Sequence, residues 1–285
     1  MENNKNSLVP LTQSARKASL GITWATLLLF LVCTTSVVGL LLLAGYRVVP
    51  LWLCTVLNTI VIYASYTVLH EAVHGNISGN VTGPTRLDEI AGSITGILMM
   101  VPFSAHKTLH LTHHRFTNDP QRDPDHYTKG THAVSILLRC STVPIAYLVY
   151  CTRHWQQPDM RRALWTSIWA FVQTGILLVL LGVIFGWQVP IFGYLVPVLI
   201  ALPTLGFLFD WIVHTPHTDQ RRFHNTTVFE GTQDALDIAY TVATLQQNYH
   251  GIHHAFPRIP FTRYRAFFKK NRQQLIDLGL PVKQY

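Results

Sequence analysis

Three short stretches of this chain set imidazoles in helical register. His70 and His74 stand four residues apart in "LHEAVHGN", His110, His113 and His114 form "HLTHH", and His250, His253 and His254 form "HGIHH". On a helix, positions i, i+3 and i+4 project from one face, so each stretch offers two or three ring nitrogens to one point in space. Ring nitrogens gathered in this way hold metal ions. A tetrahedral zinc takes four ligands and a catalytic one usually three from protein. Eight histidines are therefore too many for one ion, and they match two. Imidazole suits iron, copper, zinc and nickel alike, so ligand type leaves the metal open. A haem would engage only two of the eight.

The elements that must carry these residues are apolar. Of 285 residues 49% are hydrophobic and 13% charged, with a formal net charge of +8. No charge falls between Gly21 and Tyr46, Arg47 is the only one before His70, and Ala163 to Phe209 is charge-free. A spanning helix needs about 20 apolar residues, so each block holds two spans, placed near 21–45, 49–69, 165–187 and 189–209. The first block is too long, and lacks the small-residue site, for a cleaved signal peptide. Of 22 lysines and arginines only Arg47 falls in an outside loop. The positive-inside bias then places both termini, residues 70–164 and residues 210–285 in the cytoplasm. Basic residues beside anionic headgroups account for the net charge, and no nucleic-acid partner is implied.

The expected fold is an all-α integral membrane protein, one domain over residues 1–285. Four transmembrane helices are joined by interfacial helices and by a cytoplasmic helical cap that holds the histidines. Residues 1–19 read as a polar, mobile tail. Gly92 to Ala105 and His132 to Tyr150 are apolar but short and carry Pro102 and Pro144, so they read as re-entrant or interfacial segments. Cys33, Cys54, Cys140 and Cys151 show no C-x-x-C spacing and read as reduced apolar fillers. Trp165, Trp169, Trp187 and Trp211 read as interfacial belts.

His70 ends the second span, and the last span runs into "FDWIVHTPH", where Asp210 and His214 are one turn apart. The four elements can meet at one membrane-proximal site, with His214 as a ninth ligand. Other readings compete. His70-Glu71-Ala72-Val73-His74 fits H-E-x-x-H, the zinc metalloprotease pattern with Glu71 as general base. That reading leaves "HLTHH" and "HGIHH" without a role. A metal transporter or metal-storing protein predicts ionisable residues midway along the spans, and the spans have none.

"HEAVH", "HLTHH" and "NYHGIHH", in that order, resemble the three histidine boxes of the membrane fatty acid desaturase and hydroxylase superfamily. "THHRFTNDPQRDPDH" is similar to its second box with the acidic continuation, and "QQNYHGIHHAFPRIPFTRYR" to its third box with the following tail. "DWIVHTPH" and "RFHNTTV" look closest to the bacterial branch holding β-carotene hydroxylases, although the first box begins H-E where H-D is commoner there. The resemblance covers roughly residues 60–270. It implies an O2-dependent oxidation of C–H bonds in a long apolar lipid, with two iron ions as cofactor and O2 as co-substrate. The implied ligands are His70, His74, His110, His113, His114, His250, His253 and His254, with His214 as the extra histidine. Asp123, Asp125, Asp210, Asp237, Asn248 and Glu71 are the candidates for orienting the rings. His106, His126, His132, His154, His217 and His224 are not expected to ligate.

Hydroxylation of a carotenoid ring is the leading expectation, and desaturation of a fatty acyl chain the alternative. Electrons are expected from an external ferredoxin or similar carrier with its reductase. The expected location is the inner (cytoplasmic) membrane.

Overall fold

The computed structural model describes residues 2–80 and 82–285, with side chains from Leu8 onward. Four of its helices are long and apolar enough to cross a bilayer: α2 (Trp24–Gly45), α3 (Leu51–His74), α8 (Pro158–Phe185) and α9 (Gln188–Trp211). They coincide with the four expected spans, and each outer face carries exposed apolar side chains such as Leu28, Ile60, Val183 and Leu199. In water such surfaces would be unfavourable; against acyl chains they are not.

α3 runs past the expected end at residue 69. Its 24 residues reach about 36 Å at 1.5 Å per residue, beyond the hydrocarbon thickness of about 30 Å. From Thr67 to His74 every residue is buried, so the last two turns pack in protein and the first box is the inner end of a span. Gly75 closes the helix in the left-handed region at φ +69, where a Cβ would meet the Pro84 backbone at 2.9 Å. This glycine lets the chain leave α3 at once.

α4 (Arg86–Met99) opens with a capping box between Thr85 and Asp88, and α5 (Phe103–Phe116) leaves it at 101°. The apolar stretch 92–105, expected as one short segment, is therefore split at Met100–Pro102. A Cβ on Gly96 would meet the Val101 carbonyl at 2.5 Å, so the tight bend depends on that glycine. α6 (Ala133–Ser141) and α7 (Val143–Arg153) meet at 66° around Thr142, where Pro144 starts the second helix. Two stretches of α9, Ile191–Leu195 and Gly206–Trp211, are wound as π-helix. Pro197 and Pro203 lie in α9 and lack the N–H that a regular turn needs. The second wide turn re-aims Asp210 and the residues that follow it.

The rest of the chain forms a cap. Its core joins Tyr249, Ile252, Tyr264, Phe268 and Leu275 with Leu11 and Ala15. The last two belong to α1 (Glu2–Ala18), so the segment expected as a mobile tail is a helix docked by a small apolar face. α10 (Asp234–Ala243), α11 (His250–Ala255) and α12 (Tyr264–Asp277) complete the cap. β1 (Val228–Glu230) pairs in parallel with β2 (Val282–Gln284) in the register Val228↔Val282. All four cysteines are buried and free. Trp165 and Trp169 on α8, and Trp187 in the turn between α8 and α9, are exposed, as tryptophans of an interfacial belt are.

Candidate metal centre

The buried end of α3 presents His70 and His74, and α5 runs beside it with His110, His113 and His114 on one side. His214 follows the wide turn of α9. α11 starts from a single 3-10 turn, Gln247–Tyr249, and carries the third box inward. The nine histidines expected to ligate are thus brought together from four segments of chain.

They form two sets. One ring nitrogen from each of His70, His74, His110, His114 and His253 lies within 4.8 Å of the others, and the same holds for His113, His214 and His254. His250 sits between them, its ring 4.8 Å from His254, 5.7 Å from His214 and 5.1 Å from His253. Nitrogen faces nitrogen across the first set. The Nε2–Nε2 distances are 3.0 Å for His74–His110, 3.0 Å for His110–His114 and 2.8 Å for His114–His253. In the second set His113 and His254 stand 3.3 Å apart in the same way. Both nitrogens of His70 and Nε2 of His214 are buried without a hydrogen-bond partner among the described residues. A buried polar atom left unpaired costs about 1–3 kcal/mol. Converging ring nitrogens with unpaired atoms among them fit a pair of divalent ions, one per set.

The other ring nitrogens are held from outside. Asp123 Oδ1 lies 2.8 Å and Asp125 Oδ2 3.3 Å from His113 Nδ1. Tyr264 Oη lies 3.0 Å from His253 Nδ1, and Gln247 Oε1 lies 2.8 Å from His250 Nδ1. The Asn225 carbonyl is 3.2 Å from His214 Nδ1. With Nδ1–H donating to these acceptors, Nε2 keeps its lone pair for a metal. Burial pushes His250 down to about 3, with His113 and His74 adding to the effect. Burial and neighbouring rings likewise hold His214, His253 and His254 well below the ordinary imidazole range. These imidazoles are neutral near pH 7, the form that binds metal.

Glu71 touches no imidazole directly. It accepts from the Phe261 N–H at 3.1 Å and Asn76 Nδ2 at 3.1 Å, and its Oε1 is 3.5 Å from the Tyr264 hydroxyl. Asp237 and Asn248, expected to orient the rings, do other work. Asp237 accepts from the Tyr249 hydroxyl, the Gly231 N–H and Arg265. Asn248 bonds Thr241, Thr244 and the Phe229 carbonyl. Both bond the loop that launches α11, and neither has a hydrogen bond to a histidine among the described residues. Tyr264, Gln247 and Asn225 were missed by sequence reasoning. Tyr264 does lie in the "PRIPFTRYR" tail, the one signal that pointed near it.

The remaining histidines surround the centre or lie away from it. His106 stacks on His110 at 5.5 Å, and His217 is 6.2 Å from both His214 and His126. His154 stacks on Tyr150, His132 contacts Thr131 and His224 lies beside Arg221.

An apolar cavity, partly open, adjoins the centre. Leu109, Leu148, Phe171, Leu202 and Leu205 line it, and Tyr66, His106, Tyr147 and Asp210 form its polar part. Tyr66 and His106 link it to the rings, at 5.8 Å from His70 and 5.5 Å from His110. Asp210 is therefore a cavity residue with no hydrogen bond to a histidine among those described. Phe171 and Leu202 come from spans α8 and α9, so the cavity lies against the membrane-spanning helices.

No curated protein matches the chain closely enough to add a relative. The family model described as "Fatty acid desaturase" matches residues 46–285, which takes in all three histidine boxes. The chain belongs to the fatty acid desaturase family and is accordingly a membrane oxidoreductase that acts on lipid.

Proposed function

We propose that this protein uses two iron ions and O2 to oxidise an unactivated C–H bond of a long apolar lipid. His70, His74, His110, His114 and His253 would hold one iron, and His113, His214, His254 and His250 the other. The observation that carries this reading is the grouping of eight imidazoles into two largely buried sets, with His250 between them, beside one apolar cavity. Bound there, the iron pair supplies the activation of O2 and the one-electron chemistry that breaks a C–H bond.

The chain's own residues do the rest. Asp123, Asp125, Tyr264 and Gln247 fix the ring orientations so that the sets need little rearrangement on loading. Leu109, Leu148 and Leu205 exclude water from the space beside the rings and hold the lipid by apolar contact. Tyr147 donates to Asp125 Oδ1 at 2.6 Å, tying the cavity wall to the carboxylate that faces His113. Asp210, Tyr66 and His106 are the groups available for proton movement at the cavity's polar end. Electrons come from an external carrier, such as a ferredoxin with its reductase. The centre faces the cytoplasm of the inner membrane, the side marked by the lysines and arginines.

For substrate we favour ring hydroxylation of a carotenoid, on the strength of "DWIVHTPH" and "RFHNTTV". The match to the desaturase family model favours acyl desaturation as the second reading. Expression in a host that makes both β-carotene and saturated acyl lipids, followed by mass spectrometry, separates them. A carotenoid heavier by one oxygen supports the first, and an acyl chain lighter by two hydrogens supports the second. Unchanged lipids in cells where the protein is loaded with iron and supplied with a reducing carrier would sink both.

A further inference from the structure

A second pocket lies apart from the metal centre, between α1 and the segment that follows the third box. It is broadly open to the outside, and Arg16, Ser19, Arg222, Phe256 and Arg258 are among its lining residues. Among the described residues no carboxylate lines it. Arg222 donates to the Ala255 carbonyl from Nε at 3.1 Å and from Nη2 at 2.5 Å. Its guanidinium lies over the rings of Phe223 and Phe256, 5.0 and 5.1 Å from their centres. Arg258 donates to the Asn80 carbonyl. The Arg16 side chain has no hydrogen-bond or ion-pair partner among the described residues. Arg122, Arg221, Arg265 and Arg272, in contrast, each meet a carboxylate.

A guanidinium has five donors, so all three arginines keep unused N–H groups after these bonds. Three positive charges around one pocket repel one another unless an anion sits among them. The planar fork of arginine matches the oxygens of a phosphate. Position adds the second half of the argument. Immediately after the pocket residue Ser19, Leu20 and Ile22 are 48% and 47% exposed, and Trp24, which begins span α2, is 73% exposed. An anion at this pocket would therefore lie beside apolar side chains at the head of a membrane span. A phosphate joined to acyl chains meets both halves at once.

We propose that Arg16, Arg222 and Arg258 bind the phosphate of an anionic phospholipid, whose acyl chains lie along Leu20, Ile22 and Trp24. The site does not depend on the reaction proposed above. Because Arg222 also grips the carbonyl of Ala255, the residue after His254, lipid bound here braces the end of the third box. It also pins α1 to the membrane surface.

The test uses the full chain in neutral detergent, titrated separately with phosphatidylglycerol, phosphatidylcholine and inorganic phosphate. Binding is read by native mass spectrometry and by the unfolding temperature. Phosphatidylglycerol should form adducts and raise the unfolding temperature, and phosphatidylcholine should do neither. Arg16→Gln with Arg258→Gln should weaken phosphatidylglycerol binding on the order of tenfold, while lysine at both positions should keep most of it. Arg16→Gln alone, at a side chain that makes no bond in the structure, covers the case in which the double variant does not fold. Undiminished binding in Arg16→Gln would overturn the proposal. So would stabilisation by millimolar inorganic phosphate that requires the same arginines, which would make this a free-phosphate site.

Discussion

Tyr264 stands behind His253, its hydroxyl 3.0 Å from Nδ1 of the ring and 3.5 Å from Oε1 of Glu71. With its hydrogen on Nδ1, His253 donates to the tyrosine oxygen, and the tyrosine hydroxyl donates to the buried Glu71 carboxyl. The first and third boxes are thereby joined through a residue that belongs to neither.

Tyr264→Phe should lower both activity and metal affinity by about 10–100-fold, the usual effect of removing a partner behind a ligating ring. The helical content seen by circular dichroism should stay unchanged. Metal retention and turnover equal to the parent would remove Tyr264 from this role.

Metal analysis of the purified protein should give close to two irons per chain. His110→Ala and His253→Ala should each abolish product while the protein still inserts in the membrane. A single zinc, or full activity in either variant, would refute the paired-iron assignment.

The two sets should be separable. Asp123 contacts His113 alone among the nine, so Asp123→Asn should weaken one iron by about 10–100-fold and leave the other bound. Titration of the metal-free variant should then show one tight and one weak site. Two equally weakened sites would show that Asp123 supports the whole centre instead.

Leu202 belongs to span α9 and lines the apolar cavity. Leu202→Trp should fill that space and cut kcat/KM for a lipid substrate by about tenfold or more, given the cost of overpacking. Iron content should not change. Unaltered turnover would place the substrate elsewhere.

The cap has a defined acid limit. Burial alone would raise the carboxyl pKa of Glu230, but the bonds and charges of Lys269 and Arg272 outweigh it and leave the value below the ordinary range. Asp237 behaves likewise, burial being outweighed by the Gly231 N–H, Arg265, Tyr249 and Lys269. A depressed folded-state pKa contributes stability that is complete above the unfolded value, about 4 for these groups, and is lost as pH falls through the folded value. The histidines held neutral by burial cost stability once pH falls below the unfolded imidazole value of about 6.5, so the unfolding temperature should decline from there, and Glu230 and Asp237 should add a further drop below about 4. Glu230→Gln should flatten part of that drop; an unchanged profile would exclude the contribution.

The helix period made the metal centre readable. His70 with His74, and each H-x-x-H-H stretch, share a face whatever the rest of the fold does, and the charge-free blocks gave the four spans. The partners of the rings were less accessible. Gln247 is three residues from His250 and could have been noticed, but Asn225 reaches His214 and Tyr264 reaches His253 only through chain reversals that no local pattern announces. Asp237 and Asn248 lie close to the third box in sequence and were assigned to it, while their hydrogen bonds hold the preceding loop. Residues 1–19 read as mobile because two buried side chains, Leu11 and Ala15, are a weak signal in a polar helix.

Along His74, His110, His114 and His253 each nitrogen pair, at 2.8–3.0 Å, is a hydrogen bond only if one of its members carries the hydrogen. A hydrogen placed on Nε2 disqualifies that nitrogen as a ligand. A metal bound by these nitrogens would require the hydrogen of each ring to sit on Nδ1. It would also join parts of the chain as distant as His114 and His253, separated by 139 positions, as a cross-link between helices.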